Sequence, residues 1–250
     1  SSADSGVASV TASLSLSDGK NGGLAKNYVV APFNVGSVSI SPAPITVSGL
    51  SAVPRNYNGT TIVALAGTPV LSGLVDGQTL KINNLSSAGT SAQPNSGIQA
   101  VTASLILQNG SNGGIANNYF VAPYNVGVVT INPAPVTVTG ISPVSSRVYD
   151  GSNVVALTGT PIINGLVGSE TLTITNLLTG GTASSPSIGT TSVTANIILG
   201  DGTNGGLASN YVAPPFDAGT VSIIGVEPVV ARQLSVIASA AVTTVLTTVS

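Results

Sequence analysis

Short runs in which apolar and polar residues alternate recur along the chain, and β-branched residues are frequent in them. Four such runs cover residues 45–48, 79–83, 101–105 and 128–131. Alternation with a period of two predicts β-strands, and the Gly, Asn, Asp and Pro residues around the runs are typical of turns. Residues 1–224 carry no convincing helical stripe. The pattern therefore predicts an all-β protein.

The alternating pattern repeats with a period of 91 or 92 residues. An eleven-residue segment rich in glycine, here called the glycine-rich phrase, begins at Asp18, Asn109 and Asp201 and closes on an Asn-Tyr pair each time. A Tyr-Asx-Gly sequence at 57–59 likewise returns at 149–151. Such a period is too long for solenoid coils and suits tandem domains that each have a core.

These repeats predict tandem Ig-like antiparallel β-sandwich domains, at residues 46–136 and 137–224. Pro-Ala-Pro sequences at 42–44 and 133–135 favour extended backbone between units, which predicts a rod-like array. Residues 1–45 match only the second half of a unit and are incomplete alone, so either preceding sequence or another chain completes them. Because the sequence has no Met, we expect it to be part of a longer or processed chain.

The composition argues against enzymatic chemistry. The chain has no His and no Cys, the usual groups for proton transfer, nucleophilic attack and zinc binding. Its eight acidic residues are scattered, and its net charge is −2 without a basic run. We therefore expect no catalysis, no cofactor and no nucleic-acid partner.

The glycine-rich phrase has two interpretations. Its alternation of oxygen ligands and glycine makes Asp18 and Asp201 weak candidates for a metal site. However, Asn109 replaces the carboxylate in the second copy, which leaves a poor set of ligands for a hard cation. Asn-Gly pairs supply the positive φ angles of turns, so the pattern favours a loop that shapes the fold.

The recurring tyrosines are predicted to be structural pins, in which the ring is buried and the hydroxyl keeps a polar partner. This resembles the tyrosine corner of Greek-key sandwiches. Arg55 and Arg147 stand two residues before a tyrosine, which suggests a stacked Arg–Tyr pair or a contact between domains. The predicted pins are Tyr28, Tyr57, Tyr119, Tyr149 and Tyr211.

Residues 225–250 form an apolar C-terminal segment, and the 18 residues after Arg232 are uncharged. Its apolar positions fit helical spacing, whereas its many Val and Thr residues favour a strand. We expect a docking or assembly segment; an extra strand or cap and a membrane span are the alternatives, and seven Ser and Thr argue against the span. The predicted assembly residues are Leu234, Ile237, Val242, Val245, Leu246 and Val249.

The Tyr-Asp-Gly start at 149–151, the following "VVALTGTP" and the "GGLASNY" close resemble the YDG-type and related MBG-type repeats of bacterial surface adhesins and filamentous-haemagglutinin-like exoproteins. This resemblance implies an exported, non-enzymatic protein of the cell surface whose repeats form a stalk. One alternative is a subunit of an extracellular filament, in which strands or tails complement neighbouring copies. Another is a glycan-binding module.

Overall fold

The computed structural model of the protein describes residues 4–75 and 77–226. Within these ranges all regular structure consists of β-strands and three short 3₁₀ turns, so the predicted all-β class is confirmed. The chain divides into two units between Asn132 and Pro133. None of the described residues forms a helix with the length and apolar character needed to cross a membrane.

The first unit opens with a hairpin, called here the N-terminal hairpin. Strands β1 (Gly6–Ala12) and β2 (Phe33–Ile40) pair antiparallel, and a 3₁₀ turn at Ala25–Asn27 lies in the connection between them. The register shifts at a bulge between Val10 and Thr11.

The rest of the first unit is the first repeat, which contains eleven strands and the 3₁₀ turn Ala116–Asn118. The strands are β3 (Ala43–Pro44), β4 (Thr46–Ala52), β5 (Arg55–Asn56), β6 (Ile62–Val63), β7 (Leu65–Ser72), β8 (Leu80–Ile82), β9 (Gly89–Ser91), β10 (Gly97–Ala103), β11 (Leu107–Asn109), β12 (Tyr119–Phe120) and β13 (Tyr124–Asn132).

The second unit repeats this order, with the 3₁₀ turn at Ala208–Asn210. The strands of this second repeat are β14 (Ala134–Pro135), β15 (Thr137–Pro143), β16 (Ser146–Val148), β17 (Val154–Val155), β18 (Leu157–Asn164), β19 (Leu172–Ile174), β20 (Gly181–Ala183), β21 (Gly189–Ala195), β22 (Leu199–Asp201), β23 (Tyr211–Val212) and β24 (Phe216–Ile224).

Each repeat is organised around a five-stranded sheet, in the order β5-β13-β10-β9-β6 in the first and β16-β24-β21-β20-β17 in the second. Two-stranded pairs accompany it: β4 with β7 and β8 with β11, matched by β15 with β18 and β19 with β22. The four alternating runs at 45–48, 79–83, 101–105 and 128–131 overlap β4, β8, β10 and β13, which confirms them as strands.

Most strand pairs are antiparallel, but four pairs between described strands are parallel. In two of them the Pro-Ala-Pro residues pair with the tyrosine that closes the glycine-rich phrase: Ala43 lies opposite Tyr119, and Ala134 opposite Tyr211. The proline residues, which the sequence suggested as links between units, are thus the first strand of each repeat. Their extended backbone is held by hydrogen bonds as well as by proline.

The core lies on one face of each five-stranded sheet, because alternate residues of a strand point to the same side. In the second repeat, partly buried Ile141 and Leu177 pack against this core from outside the sheet, and Phe216 packs against it from the start of β24. A fully buried Val or Ile contributes about 1.5–3 kcal/mol, so these residues supply much of the stability. The buried residues of the core of the second repeat are Val155, Leu157, Ala183, Val193, Ala195, Val221 and Ile223.

Candidate functional site

The first residue of each glycine-rich phrase closes the loop upon itself. The Oδ1 atom accepts a hydrogen bond from the backbone N–H seven residues later: Asp18 from Ala25, Asn109 from Ala116 and Asp201 from Ala208, at 2.7–2.8 Å. An amide oxygen serves as well as a carboxylate, because the bond needs only an acceptor. This explains why Asn and Asp interchange at the position.

The Asn-Gly pair within the phrase adopts the left-handed conformation that the sequence predicted. In the first copy Asn21 has φ 58° and Gly22 has φ 79°, and the other two copies repeat these values closely. Asn and Gly tolerate this region better than other residues, so the pair is selected by backbone geometry.

In both repeats the phrase packs tightly against the start of a neighbouring strand. The Ser111 N–H donates to Thr79 Oγ1 at 2.7 Å, and the Thr79 N–H donates to the Ser111 carbonyl at 3.1 Å. A Cβ atom at Gly114 would lie 1.9 Å from the Thr79 carbonyl oxygen. The second repeat has the same contacts between Thr171, Thr203 and Gly206. The concave side of the loop is therefore filled by the protein's own strand, which leaves little space there for a ligand.

The tyrosine that closes the phrase contacts the loop between β7 and β8 in the first repeat and the loop between β18 and β19 in the second. Tyr119 is 6% exposed; its hydroxyl accepts from the Val75 N–H at 3.2 Å and donates to Gln78 Oε1 at 2.6 Å. Tyr211 is 5% exposed and makes the matching bonds with the Val167 N–H and Glu170 Oε2. Burial raises the pKa of Tyr211 to about 12, and the hydrogen bond to Glu170 adds to the effect.

The other predicted pins lie in different environments. Tyr57 is buried, whereas its counterpart Tyr149 is exposed. Tyr28 is 65% exposed. The backbone N–H groups of Tyr57 and Tyr149 donate to the carbonyls of Asn132 and Ile224, at the end of the last strand of each repeat.

A guanidinium group holds each Tyr-Asx-Gly turn. In the second repeat Arg147 Nη1 lies 2.5 Å from Asp150 Oδ1, and Nη2 donates to the Ser152 carbonyl. The backbone N–H of Ser152 and the Arg147 guanidinium hold the pKa of the Asp150 carboxyl below its ordinary value.

The first repeat makes the same turn with an amide. Arg55 Nη1 donates to Asn58 Oδ1 at 2.6 Å, and Nη2 donates to the Thr60 carbonyl. The sequence suggested that these arginines stack on a tyrosine or join domains; their hydrogen bonds instead go to the turn that follows them. The sequence contained a signal for this contact, which was missed: an Asn or Asp side chain that can accept a hydrogen bond stands three residues after each arginine.

The asparagine before the closing tyrosine also has a partner outside its own loop. Asn118 Oδ1 accepts from the Ser5 N–H at 2.7 Å, and its Nδ2 donates to Asp4 Oδ1 at 2.8 Å. These bonds attach the start of the N-terminal hairpin to the first repeat.

The structure gives the metal hypothesis no support at the residues that suggested it. The Oδ1 atoms of Asp18 and Asp201 are engaged by loop N–H groups. Across residues 4–75 and 77–226, no three acidic side chains come together in a group that could hold a metal ion. The predicted assembly residues between Leu234 and Val249 lie outside the described residues.

Comparison with known proteins gives one family. The YDG domain model matches residues 41–126 and 132–220, in two tandem copies that cover most of the chain. The chain therefore belongs to the YDG domain family. No curated protein and no solved structure matches it.

Proposed function

We propose that the chain is a non-enzymatic structural protein of the bacterial cell exterior. Its YDG repeats would be Ig-like β-sandwich modules in a rod-like stalk that holds an adhesive region away from the cell. The observation that carries the proposal is the use of the repeated polar side chains. The recurring Asx, Tyr and Arg residues are committed to hydrogen bonds that fix the backbone inside each repeat.

The position of the core supports the sandwich architecture. Buried residues of the five-stranded sheet contact Leu157 of the β15–β18 pair, and Ile141 from that pair packs on the same cluster. A strand pair facing the apolar side of a sheet is the arrangement from which a sandwich is built.

Single-molecule stretching of the whole chain tests the stalk function. Two independently folded repeats of about 90 residues should give two unfolding events, each lengthening the chain by about 30 nm at about 3.5 Å per residue. One event, or a smooth extension without peaks, would contradict force-bearing modules. A specific hit on a glycan array by the monomeric chain would instead favour a binding module.

A filament subunit is the second candidate, favoured by the exposed apolar side chains of the N-terminal hairpin, which include Val10, Val38 and Tyr28. Native extraction followed by electrophoresis separates the two candidates. SDS-resistant polymers would support the filament, whereas a monomer by size measurement would support the stalk.

A further inference from the structure

The turn that follows β5 contains an Asn-Gly pair, Asn58 and Gly59, which is one of six such pairs in the chain. In an Asn-Gly pair the glycine nitrogen can attack the side-chain carbonyl carbon of the asparagine, because glycine has no Cβ to obstruct the approach. The attack closes a five-membered imide and releases ammonia. Whether a pair reacts depends on how the fold holds the carbonyl, the amide nitrogen and the next N–H. The six pairs begin at residues 21, 58, 109, 112, 164 and 204.

The side-chain carbonyl of Asn58 is surrounded by hydrogen-bond donors. Arg55 Nη1 donates to Oδ1 at 2.6 Å. Thr60 donates to the same oxygen twice, through its N–H at 3.1 Å and through Oγ1 at 2.9 Å. Such donors, and a cation above all, withdraw electrons from the carbonyl carbon and stabilise the negative charge that develops on the oxygen during attack. The turn therefore supplies an oxyanion site at the carbonyl of Asn58.

Three other Asn-Gly pairs are held in ways that oppose the reaction. Asn112 Nδ2 donates to a backbone carbonyl at 3.1 Å, and Asn204 Nδ2 does so at 2.9 Å. After Asn109 the attacking nitrogen itself is engaged, since the Gly110 N–H donates to the Gly114 carbonyl at 3.0 Å. By contrast, Asn58 and Gly59 are exposed to water. The pair at 58 is thus the one with an activated carbonyl and open surroundings.

The second repeat shows that the product of the reaction fits the turn. Asp150 occupies the position of Asn58, and Arg147 Nη1 lies 2.5 Å from its Oδ1. The Ser152 N–H donates to the same oxygen at 2.9 Å. Around Gly151 the space is open, because no atom beyond its chain neighbours would lie within 4 Å of a Cβ there. A carboxylate in place of the amide therefore keeps these contacts, adds an ion pair and leaves room for water.

We propose that Asn58 is a site of spontaneous deamidation promoted by its own turn, which converts the amide of the first repeat into the carboxylate of the second. The Gly59 nitrogen bonds to Asn58 Cγ, the Cγ–Nδ2 bond breaks, and the Gly59 proton leaves with Nδ2 as ammonia. Water then opens the imide: its hydroxyl adds to a carbonyl carbon and its proton goes to the nitrogen. Opening at Cγ gives aspartate, and opening at the backbone carbonyl gives isoaspartate. Arg55 stabilises the charge on Oδ1 first and pairs with the carboxylate afterwards.

The proposal does not rest on the stalk function, because it concerns the chemistry of one turn. Its consequence is a first repeat that changes with age. A newly made chain would carry an amide at the turn, and an aged chain would carry a carboxylate there, with the net charge one unit more negative.

The test is incubation of the full chain at neutral pH, followed by tryptic mapping and mass spectrometry. The tryptic peptide 56–81 contains the pair at 58 and no other Asn-Gly pair, and fragmentation separates aspartate from isoaspartate. In the folded chain we expect Asn58 to convert at least about tenfold faster than the pairs at 109, 112 and 204, because an oriented donor at a developing oxyanion accelerates attack by that much or more. In urea these differences should disappear, and Asn58 should convert more slowly than in the folded chain.

Two variants complete the design. Arg55→Gln removes the charge beside the carbonyl and should slow the conversion of Asn58 about tenfold in the folded chain, with no effect in urea. If the arginine only held the turn rigid, the same variant would speed the conversion, so the sign of the change separates the two roles. Asp150→Asn is the matched gain of function. It places an Asn-Gly pair beside Arg147 and should return to aspartate at a rate close to that of Asn58.

Hydrogen exchange shows whether the turn stays in place in the Arg55→Gln variant. The reporter is the Tyr57 amide, which donates to the Asn132 carbonyl. Three results would overturn the proposal: equal rates at 58 and at the other pairs in the folded chain, a faster rate at 58 in urea, or an unchanged or faster rate in Arg55→Gln. A lasting amide in the Asp150→Asn variant would overturn it as well, and that result does not depend on how the first repeat tolerates its own substitution.

Discussion

Asn58, Gln78 and Asn109 of the first repeat correspond to Asp150, Glu170 and Asp201 of the second. The side chains make matching hydrogen bonds: to an arginine and a turn, to the closing tyrosine, and to the N–H that closes the loop. Three amides are thus replaced by three carboxylates without a change of fold. Because each position requires an acceptor oxygen and not a charge, the family geometry is compatible with either chemistry. The charge adds a dependence on pH that only the second repeat should show.

The largest expected effect tests what the two repeats share. Gly114→Ala and Gly206→Ala each place a Cβ atom 1.9 Å from a backbone carbonyl oxygen, so each should destabilise its own repeat by about 3 kcal/mol or more. Gly23→Ala is the matched control, because the nearest atom there is 3.6 Å away. Urea denaturation combined with hydrogen exchange resolved by peptide measures each repeat. Equal losses at positions 23 and 114 would contradict the role of the facing threonine.

The tyrosine hydroxyl should distinguish the repeats. Tyr211→Phe removes a bond to a carboxylate and should cost about 2 kcal/mol, whereas Tyr119→Phe removes a bond to an amide and should cost about 1 kcal/mol. Tyr28→Phe serves as the exposed control and should leave the free energy of unfolding unchanged. A larger loss for Tyr119→Phe than for Tyr211→Phe would reverse the expected ranking.

At Tyr124 the loss of the hydroxyl should change the free energy of unfolding in the opposite direction. Its hydroxyl is buried without a hydrogen-bond partner among the described residues, and Phe33 and Phe216 occupy the corresponding positions. Tyr124→Phe should therefore stabilise the first repeat by about 1 kcal/mol. The reciprocal change Phe216→Tyr should destabilise the second. Thermal unfolding measures both, and a destabilised Tyr124→Phe variant would show that the hydroxyl has a favourable interaction.

Alkaline pH should weaken the second repeat through Tyr211. Its pKa is raised to about 12 in the folded state, so the stabilisation is complete below the ordinary value of 10.0 and is lost as the pH rises toward 12. Besides Tyr124, whose pKa is also raised by burial, ultraviolet titration of tyrosinate should show a late ionisation of Tyr211. Glu170→Gln should move it to lower pH, because the carboxylate opposes ionisation. An unchanged midpoint in that variant would exclude the contribution of Glu170.

The smallest effect is expected in acid. The pKa of Asp150 is held below 3.8, so its contribution is present above that value and is lost as the pH falls through the folded-state pKa. Asn58 has no such titration. Asp150→Asn should therefore reduce the acid sensitivity of the second repeat, and Asn58→Asp should create it in the first. Hydrogen exchange of each repeat between pH 5 and 2.5 detects both changes, and identical profiles for the two variants would contradict the assignment.

The strands were predictable where one face is buried. Apolar and polar residues alternate at 101–105 and 128–131 because one side of each strand meets the core. The length of the repeat was predictable from the similarity between segments 91 or 92 residues apart. Parallel pairing was not predictable, since Ala43 and Tyr119 are far apart in the sequence and carry no mark of their contact. The geometry of the glycine-rich phrase followed from its Asn-Gly pair, whereas its partner Thr79 could not be identified. An ordinary threonine acquires that role only through its position in the folded repeat.

The pairing of Ala43 with Tyr119 and of Ala134 with Tyr211 also has a kinetic consequence. The first strand of each repeat can pair only with a strand more than 70 residues later in the sequence. Closing so long a loop has an entropic cost, and local contacts do not offset this cost early in folding. Domains dominated by distant contacts fold on a time scale of about milliseconds to seconds. During synthesis of the chain from its N-terminus, a repeat can therefore stay extended until its final strands have been made and then fold as one unit.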